Sequence, residues 1–234
     1  MSSKPDYYKY TSFGAVSWAA LVARRRILLR FLDLLRPRPD ETVLDVGVTR
    51  DCSRAESNFF EALYPHRDRI TAASIEAAEG ISALYPGVRF VPIAAGQPLP
   101  FAGRQFDLAF CNAVLEHVGA AEQQRAFVSE VVRVSKRGLI ATPYRYFPIE
   151  THTVLPLAHW LPRSWHKRVL IGLGMTEFAG EDRLRLLDRH DFLGLFPAGT
   201  RVAASFVRLL GWPSNIVVAY WNDGGTTTPQ FEKR

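Results

Sequence analysis

At 234 residues and 47% hydrophobic, the chain can bury a sizeable core as one domain with at most a small appended lobe. Cys52 and Cys111 are too few for a disulfide framework and lie in no metal-ligand spacing. Met1 to Tyr10 lacks the pattern of a signal peptide, and no apolar run approaches the roughly 18 residues that span a bilayer, so a cytoplasmic protein is expected. The net charge of +6 is spread out. Its densest group (Arg24, Arg25, Arg26, Arg30, Arg36, Arg38) flanks an apolar helix pattern without an aromatic-and-basic motif, which reads as a solvated helix face rather than a nucleic-acid or anionic-membrane patch.

Residues 1–14 are polar and aromatic without periodicity: an arm on the surface, or a lid over a ligand. From Ala15 to Leu35 apolar residues at Trp18, Leu21, Val22, Leu28, Leu29, Leu32 and Leu35 predict a helix, stopped by Arg36-Pro37-Arg38-Pro39. The run Val43-Leu44-Asp45-Val46 then enters Gly47, as a buried parallel strand enters a tight turn. Gly47 lets the backbone leave at an angle that a side chain would block, and lets a ligand approach closely. Asp45 stands at the carboxyl end of the strand, where open α/β sheets bind ligands.

Ser57 to Leu63 predicts the first crossover helix, Ile70 to Ile75 a second strand closed by Glu76, and Ala77 to Leu84 a short helix. Val88 to Ile93 and Phe106 to Asn112 predict the third and fourth strands, Ala120 to Val134 a long helix, and Gly138 to Thr142 a fifth strand. Arg201 to Leu209 and Ile216 to Trp221, joined by Gly211-Trp212-Pro213-Ser214, predict an antiparallel pair at one sheet edge. Strands alternating with helices imply right-handed βαβ units and a mostly parallel sheet, an α/β fold. The expected organisation is an N-terminal arm and helix over residues 1–39 packing on the core. A single domain over 40–234 follows, with a substrate-side insertion at about 143–199.

Five segments in order carry a resemblance: Val43-Leu44-Asp45-Val46-Gly47, Glu76, Leu99-Pro100-Phe101, Phe106-Asp107-Leu108, and Asn112 to Val118 with Leu115-Glu116-His117. Over about residues 40 to 145 the chain resembles class I S-adenosylmethionine-dependent methyltransferases, specifically the type 11 methyltransferase-domain group. The resemblance implies a Rossmann-like, doubly wound, seven-stranded sheet with an antiparallel strand at its edge, and S-adenosylmethionine as cofactor. It places Asp45, Gly47 and Thr49 along the methionyl part, with Asp45 answering the ammonium. Glu76 would accept from both ribose hydroxyls, Ala95 and Gly96 would edge the adenine, and Asn112 would face the reacting methyl. Three departures stand out. Thr49 and Asp51 replace further glycines of the turn, Ala95 replaces a loop acid that reads the adenine amino group, and Gly47 to Glu76 is lengthened around Arg50 to Ser57. A dinucleotide would bring a pyrophosphate that acids in this loop repel, whereas a sulfonium and an ammonium suit Asp45 and Asp51.

Methyl transfer is an in-line displacement at an activated carbon, so the protein aligns the acceptor and excludes water. A general base is needed only where the acceptor carries a proton. His117 and His152 are the catalytic candidates, and Tyr144, Arg145 and Glu150 the substrate-contact candidates; no metal site is expected. Leu155 to Leu170 mixes apolar, Trp and basic residues. It suits either a lid packed on the core or an interfacial element touching a membrane or lipid-linked substrate. The expected acceptor is a small molecule or of lipid/glycan type, with nucleic acid disfavoured and the oligomeric state open. The rivals are a degenerate methyltransferase fold kept as a binding or scaffold protein, and an RNA methyltransferase suggested by the basic balance.

Overall fold

The computed structural model describes residues 14–51, 54, 56–149, 153, 155–179 and 184–222. Seven strands form one sheet in the order β3-β2-β1-β4-β5-β7-β6. They are β1 (Val43–Val46), β2 (Ile70–Ser74), β3 (Arg89–Pro92), β4 (Phe106–Asn112), β5 (Ser135–Pro143), β6 (Arg201–Leu209) and β7 (Trp212–Trp221). β1, β2, β3, β4 and β5 pair in parallel; β7 runs antiparallel to both β5 and β6. β6 therefore points the same way as β5 and forms the edge, with the antiparallel strand beside it. The Rossmann-like architecture expected from the sequence is the one observed.

The strands sort their side chains by alternation. Val43, Ile70, Ala72, Leu108, Phe110, Leu139, Val217 and Ala219 face one layer, with α1 (Gly14–Leu35) and α2 (Phe59–Leu63). Leu44, Val46, Ala73, Ala109, Cys111, Ile140 and Val218 face the other, with α4 (Ala121–Val134) and α6 (Arg189–Leu193). In the first layer Phe31 of α1 meets Phe60, Tyr64 and Phe110 edge-on, and Phe60 stacks on Phe110 at 4.3 Å. The core stripe of α1 is Ala23, Ile27, Leu28, Phe31 and Leu35, a helical i, i+4, i+8 row. Trp18 and Leu29, expected inside, are exposed because they lie off that row.

Three boundaries differ from expectation, each for a local reason. β5 begins at Ser135, since α4 passes straight into it with Ser135 already extended and no turn residue to mark the change. The hairpin turn is only Leu210-Gly211, both at positive φ (50° and 87°), so β7 starts at Trp212 and Pro213 sits at a register shift of the edge pair. The helix expected from Ala77 shrinks to α3 (Ile81–Leu84). Among the described residues, no helix is long and apolar enough to cross a membrane.

Gly138 is required by packing. A Cβ there would stand 2.5 Å from the Tyr220 hydroxyl and 2.6 Å from the Ala109 carbonyl oxygen. Tyr220 is fully buried, its hydroxyl 2.6 Å from Ser135 Oγ, and burial pushes its pKa upward. Gly138→Ala is expected to lose about 1–3 kcal/mol through overpacking, seen as a lowered midpoint in urea unfolding with an unchanged slope. Gly138→Ala with Tyr220→Phe should recover part of that loss, because the nearest clashing atom is removed.

At the amino-terminal edge, Asp107 accepts from the Thr42 N–H and hydroxyl and from Lys136 (3.0, 3.0 and 2.6 Å). The Lys136 ammonium and these donors outweigh partial burial and hold Asp107 down to about 2. This motif acid therefore fastens β1, β4 and β5 together at the end of the sheet away from the strand carboxyl tips.

Candidate active site

The strands β1, β2, β4 and β5 all end on one edge, and the segments leaving them build the candidate site. Gly47 leaves β1 at φ +113°, its N–H donating to the Ala73 carbonyl at 2.8 Å. A Cβ at Gly47 would lie 2.0 Å from Val114 Cγ2, so only glycine lets the β1 turn pass under the β4 turn.

The two non-glycine residues of this turn are held from the side. The Asn58 side chain accepts from the Thr49 N–H and donates to the Thr49 carbonyl, both at 2.9 Å. Asn58 itself sits at φ 47°, ψ 37°, a left-handed position that asparagine tolerates better than most residues. The Thr49 hydroxyl donates to Glu76 Oε2 at 3.2 Å and accepts from the Asp51 N–H, while the Arg50 N–H donates to the same Glu76 oxygen at 3.0 Å. The lengthened loop is thus tied to β2 by one carboxylate and to α2 by one amide. Asn58→Ala is expected to cost about 1–2 kcal/mol and to weaken ligand binding at this turn, while Asn58→Asp keeps only the bond from Thr49 N–H. Thermal melts and cofactor titrations of both variants check this.

Glu76 is half-buried, and both of its hydrogen bonds fall on Oε2; among the described residues Oε1 accepts none. A carboxylate offers about four lone-pair positions, so the loop contacts leave capacity for a diol. Beside it, Thr49, Arg50, Ala78, Gly80, Ile81 and Leu84 line a cleft of about 110 Å³. That is room for one moiety, against roughly 300–1,000 Å³ for the sites of whole drug-sized ligands.

Beneath the turn lies a feature without a sequence signal. Asp45 and Glu61 of α2 are both buried, and neither Glu61 carboxyl oxygen has a hydrogen-bond partner among the described residues. Burial, then the Glu61 charge, raise Asp45 well above the usual carboxylate range. Burial raises Glu61 as well. Two neighbouring carboxyl groups in a core resist ionising together. Across the sheet Glu116 is fully buried and accepts from the Thr142 hydroxyl at 2.9 Å. The buried Cys111 thiol is pushed up by burial and then by both Asp45 and Glu116. At the end of β4 the Asn112 Oδ1 is buried and accepts no hydrogen bond among the described residues.

The remaining expected residues are placed as follows. Ala95 and Gly96 lie in an exposed turn after β3, next to the β2 tip through the Ile93 N–H to Ser74 carbonyl bond. His117 is half-buried in a 3-10 turn, Leu115–His117, directly after β4. Tyr144 continues β5, bridged to Leu187, with its ring against Tyr146 and Phe206; burial, then Asp188 and Tyr146, raise its hydroxyl. The Arg145 guanidinium lies 5.8 Å from the Tyr146 ring centroid. Glu150 and His152 lie outside the described residues. Gln124 and Arg185, absent from the sequence-based candidates, hydrogen-bond to each other. Gln124 also donates to the Leu115 carbonyl, and the Arg185 N–H to the Glu116 carbonyl, so the insertion is tied to the β4 turn.

S-adenosylmethionine fits this residue set on three counts. The Gly47 turn leaves a backbone cradle that a Cβ would fill. Asn112 Oδ1 is an unpartnered acceptor at the β4 tip. The buried groups under the turn are acids, which suit a ligand that carries a sulfonium and an ammonium and disfavour a pyrophosphate. Among known proteins, the model of the type 11 methyltransferase group, described as a methyltransferase domain, matches residues 59–141.

Residues 59–141 are a methyltransferase domain. The match agrees with the resemblance to S-adenosylmethionine-dependent methyltransferases read from the sequence, and the Gly47 turn lies N-terminal to the matched stretch. Solved structures share its fold at low identity. A possible histamine N-methyltransferase from Thermotoga maritima is 17% identical with a TM-score of 0.54, over 91% of this chain and 94% of that one. The 1,6-didemethyltoxoflavin-N1-methyltransferase of Burkholderia thailandensis, solved with its substrate and S-adenosylhomocysteine, is 14% identical with a TM-score of 0.56, over 87% and 80%. The DszA carbon methyltransferase is 17% identical with a TM-score of 0.54, over 94% of this chain and 58% of that one. No curated protein matches the sequence.

Proposed function

We propose that the methyltransferase domain acts on a small-molecule or lipid/glycan-type acceptor. Bound S-adenosylmethionine supplies a methyl carbon already activated by its sulfonium. The acidic tip of the sheet supports this reading most directly, through Glu76 spanning the mouth of the β1 turn and Asp45 beneath it. In this assignment Asp45 answers the ammonium, Glu76 the ribose hydroxyls, and Asn112 the methionyl end. Ala95 and Gly96 edge the adenine with backbone groups. Tyr144 and Arg145, with Glu150, contact the acceptor from the β5 side. Where the acceptor carries a proton, His117 or His152 takes it. The Burkholderia enzyme methylates a small heterocycle on nitrogen, a precedent for acceptor size in this fold.

Calorimetry with S-adenosylhomocysteine tests the reading. One-to-one binding is expected, weakened about tenfold or more in Glu76→Gln, which loses the charge behind its hydrogen bonds. A second reading has specific support: Thr49 and Asp51 stand where the family has glycines, and the cleft beside Glu76 is small. If neither heat nor a thermal shift accompanies the nucleoside, the domain is a degenerate binding or scaffold protein. Methyl transfer to RNA with strongly salt-dependent binding would replace the small-molecule acceptor.

A further inference from the structure

The segment that follows β5 packs only part of its apolar surface on the core. In α5 (Arg163–Gly172) the inward residues are His166, Val169 and Leu170, while Trp165 is 61% exposed and Ile171 50%; Leu173, just beyond, is 55% exposed. Lys167 and Arg168 share that outer face. Trp160, in the 3-10 turn before α5, is also exposed, and its ring meets that of Tyr146 edge-on at 6.5 Å, which joins the face to the β5 end of the candidate site. From Pro143 to Thr176 the sequence holds four basic residues (Arg145, Arg163, Lys167, Arg168) against one acid, Glu150.

An independent feature lies on the same edge. Because β6 runs parallel to β5, the β6–β7 turn protrudes from the edge where the strands carry the site. Its first residue is Leu210, 95% exposed at φ 50°, followed by Gly211 and an exposed Trp212. A two-residue turn of this kind favours asparagine or aspartate at that position, and a branched apolar side chain is strained there. Local structure gives no reason for leucine at the tip.

We propose that this edge of the sheet docks on an anionic bilayer surface. Trp165, Ile171 and Leu173 of the insertion and Leu210 and Trp212 of the hairpin tip enter the headgroup boundary, and Lys167 and Arg168 meet the anionic lipids. Tryptophan at an interface, aliphatic residues below it and cations beside it are the chemistry of peripheral binding. The net +6 of the chain adds long-range attraction. Docking in this orientation turns the mouth of the methyltransferase site towards the bilayer.

Co-sedimentation of the full chain with phosphatidylcholine vesicles, with and without 30% phosphatidylglycerol, at low and physiological salt, tests this without any acceptor. Binding to the anionic vesicles is expected, with weak binding to the neutral ones. Lys167→Glu with Arg168→Glu should lower affinity about tenfold or more and remove most of its salt dependence. Trp165→Ser with Ile171→Ser should lower affinity at both salt concentrations. Leu210→Asn suits its turn, so it should melt no lower than the parent chain while binding vesicles more weakly. The proposal is overturned if anionic vesicles bring down no protein at low salt. It is equally overturned if these variants bind as the parent does while Arg25→Glu with Arg26→Glu and Arg30→Glu abolishes binding, or if Trp165→Ser only converts a dimer to a monomer. Each arm reads membrane affinity and leaves the cofactor titration above as a separate result.

Discussion

Gly47→Ala is expected to abolish measurable cofactor binding and to lower stability by about 2–6 kcal/mol. Two costs combine: a φ of +113° that an L side chain resists, at about 1–3 kcal/mol, and a Cβ placed 2.0 Å from Val114 Cγ2, adding overpacking of similar size. Valine is stiff at χ1, so Val114 gives way only at a cost. The pair Gly47→Ala with Val114→Ala separates the costs. Removing both γ-methyls relieves the clash and leaves the backbone strain, so the double variant should regain part of the stability. Cofactor affinity should return only in part, since the turn still departs from its path. Urea unfolding and S-adenosylhomocysteine titration of the three variants read these two quantities side by side. Equal stability of Gly47→Ala and the parent chain would mean that the β1 turn does not pass under Val114 as described.

The second large effect concerns Asp45 and Glu61. Both carboxyl groups are raised in the folded chain, so they destabilise it once ionised: their contribution is most favourable below the unfolded carboxylate range near pH 4 and is lost as pH rises through the folded values. Glu61→Gln keeps the shape of the side chain, offers an amide donor and removes one ionisation. Its midpoint should match or exceed that of the parent at pH 8, with the advantage shrinking towards pH 5, at roughly 2–4 °C per kcal/mol for a chain of this size. A cation brought to the pair favours ionisation, so cofactor binding should release a proton and strengthen with pH in the parent chain. That linkage should flatten in Glu61→Gln. Asp45→Asn removes the charge itself and should weaken binding by roughly 10- to 100-fold. Calorimetry in two buffers of different ionisation enthalpy measures the proton directly. A Glu61→Gln chain that melts lower than the parent at pH 8 would show that the two buried acids do not oppose each other's ionisation.

The fold was legible because parallel strands buried on both faces read as apolar runs, and because Gly47, Glu76 and Asn112 fall at their carboxyl ends. β4 was read to the residue, and β6 likewise. β5 was read short because Val134 to Ser135 changes conformation with no glycine, proline or polar cluster to signal it. Trp18 and Leu29 were placed inside since they are apolar at near-helical spacing, yet the groove that receives α1 admits a narrower row. The lengthened loop after Gly47 was visible as an insertion, but its remedy was not. Asn58 reaches Thr49 across nine residues, and an asparagine ahead of a helix reads equally well as an ordinary cap. Glu61 carried one overlooked sign: an acid set inside Phe59-Phe60-Glu61-Ala62-Leu63 has apolar neighbours on both sides. Charged residues are so seldom buried without a partner that an exposed position was the natural expectation. Gln124 and Arg185 lie far apart in sequence and meet only in the fold.

The central claim is that carboxylates at the tips of β1 and β2 receive a positively charged nucleoside. A crystal structure of the chain with S-adenosylhomocysteine tests it most directly. The ribose hydroxyls should lie within hydrogen-bonding distance of Glu76 and the amino group on the Asp45 side of the Gly47 turn. A nucleoside seated elsewhere, with Glu76 still bonded only to Thr49 and Arg50, would contradict the claim.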